Sequence, residues 1–241
     1  KSFKISNKII NHVRYIPVEL KLLRTSMNID RAISNSKKQI DFEIKFKDES
    51  SFMKILGKIL FFNNRFDQFT TTLGKTIYFP SKTSLDNSPV SSTSTLLHEL
   101  VHVSDRNRLT FPLFAFLYLS PQIWFLFFIP LFFISWKIAL VGLIFLAPIP
   151  AIGRAWLEYR GYCMSMYVLY VLHKQYNLSI DFQALKTAIL NQFTSSNYYF
   201  MFPFKSIMNK KLNDAFERVL KNKHPFEDKI FDMADVILEK V

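Results

Sequence analysis

Five residues in the middle of the chain, His98-Glu99-Leu100-Val101-His102, have the types and the spacing for hydrolytic metal chemistry. Two histidines four apart stack on one face of a helix, and both can reach one zinc ion through an imidazole nitrogen. Glu99 then stands beside the metal without ligating it. A carboxylate there can take a proton from zinc-activated water and hand it to a leaving amine. The chain has only 5 histidines, so two of them at this spacing around a glutamate are a specific signal. A catalytic zinc takes a third protein ligand and keeps one position open for water. His12, His173 and His224 remain, but the place six residues beyond His102, where a third histidine would stand, holds Arg108. A carboxylate from a later helix is the other solution, and Glu158 in RAWLEYRGY is the candidate. Its competing reading is an exposed partner of Arg154 or Arg160. One zinc per chain is expected.

These residues need elements to hold them. Upstream, IDFEIKF (40–46) alternates strictly, as a half-buried strand does. A helical pattern follows Ser50, with Phe52, Ile55, Leu56, Ile59 and Leu60 on one face. TTTLGKTIYFP (70–80) predicts a turn at Gly74 and a short strand stopped by Pro80. SKTSLDNSPVSSTST (81–95) is expected to be a polar loop, whose Ser and Thr residues cap the helix that carries LLHELVHVSD. Downstream, a long helix is predicted over 154–177, followed by amphipathic helices near 181–193, 206–222 and 226–240. Residues 1–30 mix basic and apolar positions around Pro17, which fits either an amphipathic surface pair or an ordinary docking segment. They contain no uninterrupted apolar core of a cleavable signal peptide.

Between Phe111 and Gly153 the only charged residue is Lys137. A helix crosses a bilayer with about 20 apolar residues, so this stretch has the length of two passes. Its five prolines, at 112, 121, 130, 148 and 150, favour kinked or re-entrant geometry over straight rods. Trp124 and Trp136 suit the interfaces. The formal charge of +12 requires an acidic partner. Nucleic acid has charge alone behind it, with no zinc-finger spacing or aromatic RNA-binding motif in the chain. An anionic lipid surface has the apolar insert as independent support. The single cysteine, Cys163, excludes a disulfide framework and any multi-cysteine metal site. Arg106 and Arg108 before the insert, and Arg154 and Arg160 after it, put positive charge at both of its ends. By the positive-inside tendency this turns the metal site towards the cytoplasm.

The order of motifs resembles the membrane gluzincins of the HtpX and CAAX-prenyl-protease type. In that family an HExxH helix is followed by a membrane hairpin and then by a ligand glutamate in an E-x-x-A-D pattern. This chain has HELVH, the apolar insert, and then Glu158-Tyr-Arg-Gly-Tyr162. KHPFEDKI (223–230) is similar to the family's C-terminal HPP-x-x-x-R-I stretch, one residue shorter and with Lys229 for the arginine. The resemblance covers about residues 85–232. It implies an α+β, mostly helical fold: a minimal zincin-like domain, with a small sheet over the HExxH helix and an inserted hydrophobic helical hairpin. The corresponding parts are an N-terminal zincin subdomain (1–110), a membrane hairpin (111–153) and a C-terminal helical subdomain with the third ligand (154–241). It also implies a zinc-dependent membrane endopeptidase that acts on a protein or peptide substrate. A membrane-anchored assembly protein that keeps the fold without turnover is the alternative, although a scaffold has no need of Glu99.

The family's aspartate after the ligand glutamate is Tyr162 here, and the membrane pair that usually precedes HExxH is absent. Asp105, one turn beyond His102, is a candidate substitute for the missing support of a ligand histidine. Tyr198 and Tyr199 have two readings, as phenols for an oxyanion or as packing residues. His224 likewise stands either near the site, as the family stretch implies, or on the surface.

Overall fold

The computed structural model describes residues 27–59, 66–147, 149–195 and 201–239. The basic segment before Met27 and the Tyr198–Tyr199 pair lie outside them. Helix α1 (Ile29–Gln39) starts at Asn28, whose side chain accepts a hydrogen bond from the Asp30 backbone N–H at 2.8 Å. Strand β1 (Glu43–Phe46) occupies the end of the predicted alternating stretch, with Phe42 buried and Glu43 and Lys45 exposed. Helix α2 (Ser51–Ile59) forms where predicted, but Phe52 and Ile55 of its expected apolar face do not turn inward. Phe52 and Ile55 are 57% and 58% exposed, and Met53 is buried instead. The helix docks through Met53 and Gly57, one turn apart, where the small Gly57 lets Phe66 come close.

The 70–80 segment forms two strands rather than one. Strands β2 (Thr71–Leu73) and β3 (Thr76–Phe79) pair antiparallel around Gly74, and β3 pairs parallel with β1. The order β1-β3-β2 leaves β2 at an edge. The predicted loop at 81–95 is helical instead, with helix α3 (Lys82–Asn87) followed by the first turns of helix α4 (Pro89–Leu109). The Ser81 side chain caps α3 by accepting from the Ser84 N–H at 3.0 Å. Pro89 sits in the first turn of α4, where its missing N–H costs nothing. Ser92, Thr93 and Ser94 lie buried inside α4, and the Ser92 hydroxyl returns a hydrogen bond to the Leu85 carbonyl at 2.6 Å. The Ser94 hydroxyl instead reaches across to the Ser165 carbonyl on the long helix Ile152–Tyr176 at 3.5 Å, so small hydroxyl residues serve within a helix interface as well as at a helix end.

Helix α4 packs along helix α8 (Ile152–Tyr176), and this pair forms the centre of the core. Leu96, Leu97, Leu100 and Val101 meet the α8 side chains Cys163, Met164, Val168 and Leu172 in one buried cluster, joined by α1 and the sheet. Helices α9 (Phe182–Thr194), α10 (Lys205–Leu220) and α11 (Lys229–Leu238) enclose the other side of α8, close to their predicted positions. Their buried residues, among them Ile189, Phe193, Leu212 and Phe231, belong to the same cluster. The fold is thus mostly helical α+β with one small sheet.

The apolar insert does not form two continuous passes. Helix α5 (Phe111–Leu119) packs on α4 and α8. Short helices α6 (Phe125–Phe128) and α7 (Trp136–Val141) follow, joined by 3-10 turns. Among the described residues no single helix is long and apolar enough to cross a membrane. Phe111–Leu119 and Gln122–Phe133 have the required composition together, but they are bent by 95°. Pro121 and Pro130 fall where the helices break, as proline's missing N–H dictates. The insert points its large side chains outward, with Phe133 90% and Ile134 77% exposed.

A buried ion cluster ties α4, α8 and α11 together. The Arg160 Nε donates to both Asp105 oxygens at 3.1 Å, and a terminal nitrogen donates to Asp228 Oδ2 at 2.7 Å. The guanidinium also lies over the rings of Trp156 and Phe226. Asp105 belongs to α4 three residues after His102, and Arg160 to α8 two residues after Glu158, so the cluster sets the register of the two helices. The arginine is therefore internal and is no surface charge at the end of the insert. Removing one partner of a buried pair leaves the other charged and uncompensated. Asp105→Ala is expected to destabilise the fold by about 3–5 kcal/mol, measured by denaturant unfolding of the metal-free chain. A loss below about 1 kcal/mol, as at an exposed pair, would contradict this role.

Candidate metal centre

The helical repeat brings His98 and His102 onto one face of α4, with their rings edge to face at 5.0 Å and their Nε2 atoms 3.2 Å apart. From α8, Glu158 meets them. Its Oε2 lies 3.6 Å from His98 Nε2 and its Oε1 3.8 Å from His102 Nε2. Glu158 is only 3% exposed, so the reading of it as an exposed partner of Arg154 or Arg160 does not hold. The three side chains offer one ligand atom each within 4.8 Å of one another. Ligands about 2.0–2.2 Å from a tetrahedral metal stand about 3.3–3.6 Å apart. The 3.2 Å between the imidazoles and the 3.6 Å from His98 to Glu158 Oε2 lie close to that spacing, while His102 stands 3.8 Å from the other carboxylate oxygen. Two imidazoles with one carboxylate are a donor set that suits zinc.

The electrostatics favour positive charge at the same point. Burial disfavours a charged His98, but the hydrogen bond to Glu158 and the charges of Glu99 and Glu158 outweigh it and raise its pKa. Burial alone would push the Glu158 carboxyl up. His98, His102 and Tyr118 together bring it down to about 2.

Local packing explains why the helices approach so closely. A Cβ on Gly161 would fall 2.7 Å from His98 Cε1 and Nε2, so only glycine leaves room for the imidazole against α8. Ser165, one turn further along α8, places its hydroxyl 3.2 Å from His98 Nδ1 and fixes the ring from behind. His102 has no such support, since its buried Nδ1 lacks a hydrogen-bond partner among the described residues. Asp105, the expected substitute, is engaged by Arg160 instead. Tyr162 packs edge-on against His98 at 4.9 Å and against Phe193 at 5.6 Å, so an aromatic wall occupies the place the resemblance gives to a carboxylate.

Glu99 stands outside the three-residue cluster and is buried. Its Oε2 accepts a hydrogen bond from the Thr72 hydroxyl at 2.7 Å. Thr72 sits on the edge strand β2, and that strand is itself anchored by Lys47. The Lys47 ammonium is buried and donates to the Phe66 carbonyl and to the Thr71 hydroxyl, both at 2.7 Å. Burial lowers its pKa to about 8, against the pull of Glu99 and Asp67. His224 lies elsewhere. It bonds Asp235 at 2.9 Å, faces Asp232 at 3.4 Å and packs on Tyr167, so it belongs to the polar cluster at the start of α11.

Sequence reasoning missed Thr72, Ser165 and Tyr118, whose phenol donates to Glu158 Oε1 at 2.7 Å. None of the three carries a motif. Gly161 did have a signal, as an isolated glycine inside a long helical pattern. Comparison of the chain with models of known protein families, with curated proteins and with solved structures returns no match.

The Thr72 hydroxyl fixes one oxygen of Glu99. Thr72→Val keeps the shape but not the hydrogen bond, which is worth about 1.5–3 kcal/mol to a charged acceptor. The fold is expected to lose about that much stability, measured by denaturant unfolding. An unchanged stability would show that the Thr72 hydroxyl does not hold Glu99.

Proposed function

We propose that this chain is a zinc-dependent metalloendopeptidase working at a membrane, a gluzincin with a zincin-like core and a re-entrant apolar insert. The observation that carries the reading is the meeting of His98, His102 and Glu158 from two helices, at spacings suited to one tetrahedral ion. The resemblance in HELVH, the insert and the ensuing glutamate supports it.

When bound, zinc acts as a Lewis acid towards a carbonyl oxygen and lowers the pKa of water towards about 7. The side chains do the remaining work. His98 and His102, the first braced by Ser165, and Glu158 provide the ligands. Glu99, outside that set, accepts the proton of the attacking water on the oxygen not held by Thr72. As the water oxygen bonds to the carbonyl carbon and the C–N bond breaks, Glu99 returns the proton to the leaving nitrogen. Lys47 and Thr71 keep the edge strand in the place from which Thr72 reaches Glu99.

The exposed side chains of Phe127, Phe132, Phe133, Ile134 and Trp136 support insertion into the apolar layer of a bilayer. Such a contiguous apolar surface is unfavourable in water. The 95° bend supports entry and exit on one side, which keeps both ligand helices there. Arg106, Arg108 and Arg154 remain as the flanking positive charges, and they favour a cytoplasmic metal centre next to anionic lipid.

The decisive experiment compares four proteins for metal content and for cleavage of an unfolded protein substrate. The wild type is expected to hold one zinc and to cleave. Glu99→Gln should hold zinc without cleaving, because an amide cannot take the proton. His98→Ala should lose the metal. Full cleavage by Glu99→Gln, or stoichiometric zinc in a His98→Ala, His102→Ala double variant, would remove the basis of the proposal.

For the membrane, the wild type is expected to stay in the pellet after carbonate extraction. A Phe133→Asp, Ile134→Asp variant should move to the supernatant, as each aspartate costs about 2.5–3.5 kcal/mol in mid-bilayer. Recovery of the intact chain as a detergent-free soluble monomer would contradict insertion.

A further inference from the structure

The two oxygens of Glu158 face different partners. Oε2 lies 3.6 Å from His98 Nε2, whereas Oε1, 3.8 Å from His102 Nε2, accepts the Tyr118 phenol at 2.7 Å. The phenol comes from neither ligand helix. It comes from α5, the first helix of the apolar insert, and several contacts fix its position. The Arg154 Nε donates to the Tyr118 carbonyl at 2.7 Å, and a terminal nitrogen of the same arginine donates to Gln122 Oε1 at 3.1 Å. The guanidinium lies over the Tyr118 ring at 5.4 Å. On the other side Phe114 stacks on Tyr118 at 6.0 Å, and both rings stand edge-on to His102 at 6.3 Å.

A carboxylate can hold a metal through one oxygen or through two. Two-oxygen binding would fill the coordination position that a hydrolytic site keeps open for water. A phenol that donates to one oxygen occupies a lone pair there and makes that oxygen a poorer donor to a cation. We infer that Tyr118 is a positioning residue that makes Glu158 a one-oxygen ligand, holding Oε1 on the phenol and leaving Oε2 to the metal. The inference rests on the zinc reading above and goes beyond it. The segment proposed to enter the bilayer also completes the metal centre, so the insert governs coordination as well as attachment.

The test uses the full chain in detergent, stripped of metal and loaded with cobalt(II) as a spectroscopic probe. The wild type is expected to show the intense visible absorption of four-coordinate cobalt. In Tyr118→Phe that absorption should fall severalfold as Glu158 turns to two-oxygen binding, and cobalt affinity should weaken by about tenfold or more, as on loss of other partners of metal ligands. Phe116→Leu, on the exposed side of the same helix, should keep the wild-type spectrum. A second measurement needs no variant. In the infrared difference between metal-loaded and metal-free wild type, the gap between antisymmetric and symmetric carboxylate stretches should be the wide one of one-oxygen binding. A narrow gap, or an unchanged spectrum and affinity in Tyr118→Phe, overturns this inference and leaves the zinc reading standing. Failure of the wild type to bind cobalt at all overturns both.

Discussion

A carboxylate and two imidazoles meet in the interior where α4 and α8 pack against each other, and the rest of the molecule is arranged around that contact. Buried polar groups are costly unless each finds a partner, and a buried carboxylate is the costliest of them. Glu158 therefore binds its surroundings on all sides, with His98 and His102 across the helix interface and the Tyr118 phenol from the insert. The contact requires the helix axes to come unusually close. Gly161 permits this beside His98, and the small Ser94, whose hydroxyl reaches the Ser165 carbonyl at 3.5 Å, permits it one turn earlier on α4.

Close approach alone does not fix the register. That falls to the Asp105–Arg160–Asp228 cluster, which follows the ligands by three residues on α4 and by two on α8. A buried ion pair is a weak source of net stability compared with an apolar replacement. Its value here is geometric, because a slip of one residue along either helix would separate Arg160 from Asp105 and Glu158 from the histidines together. The proposed metal site thus has a second polar cluster beside it that is satisfied only in the same alignment.

The insert has two unlike parts. Its first helix, α5, packs on α4 and α8 and contributes Tyr118 to the centre, whereas the segment beyond Pro121 turns phenylalanines, leucines and isoleucines outward. Such a surface suits the proposed bilayer seat. In that proposed seat the broken helices would keep the crossing short and return the chain to the side it left. Peptide groups at those breaks satisfy part of their hydrogen bonding in 3-10 turns, such as Phe132 N–H to the Ile129 carbonyl.

The sequence by itself determined what can be read from neighbours along the chain. The 3.6-residue repeat put His98 and His102 on one face. Alternation marked 40–46 as a strand, and charge depletion marked 111–153 as a separate apolar element. The later helices followed from their periodicity. Glu158 was within reach because one ligand was missing and one carboxylate stood at the start of the next long helix. Only the tertiary structure decided the rest. Phe52 and Ile55 have the pattern of a buried face and are exposed, because the docking face of α2 was chosen by how closely Gly57 lets Phe66 approach. Ser and Thr read as a loop and cap, yet Ser92, Thr93 and Ser94 lie buried within a helix, where their small size matters more than their capping oxygen. Asp105 went to Arg160 rather than to a histidine, and Thr72, Ser165 and Tyr118 bond Glu99, His98 and Glu158 across 27, 67 and 40 residues of chain. Hydrogen bonds across such separations depend on where helices and strands come to rest, and no local repeat encodes that position.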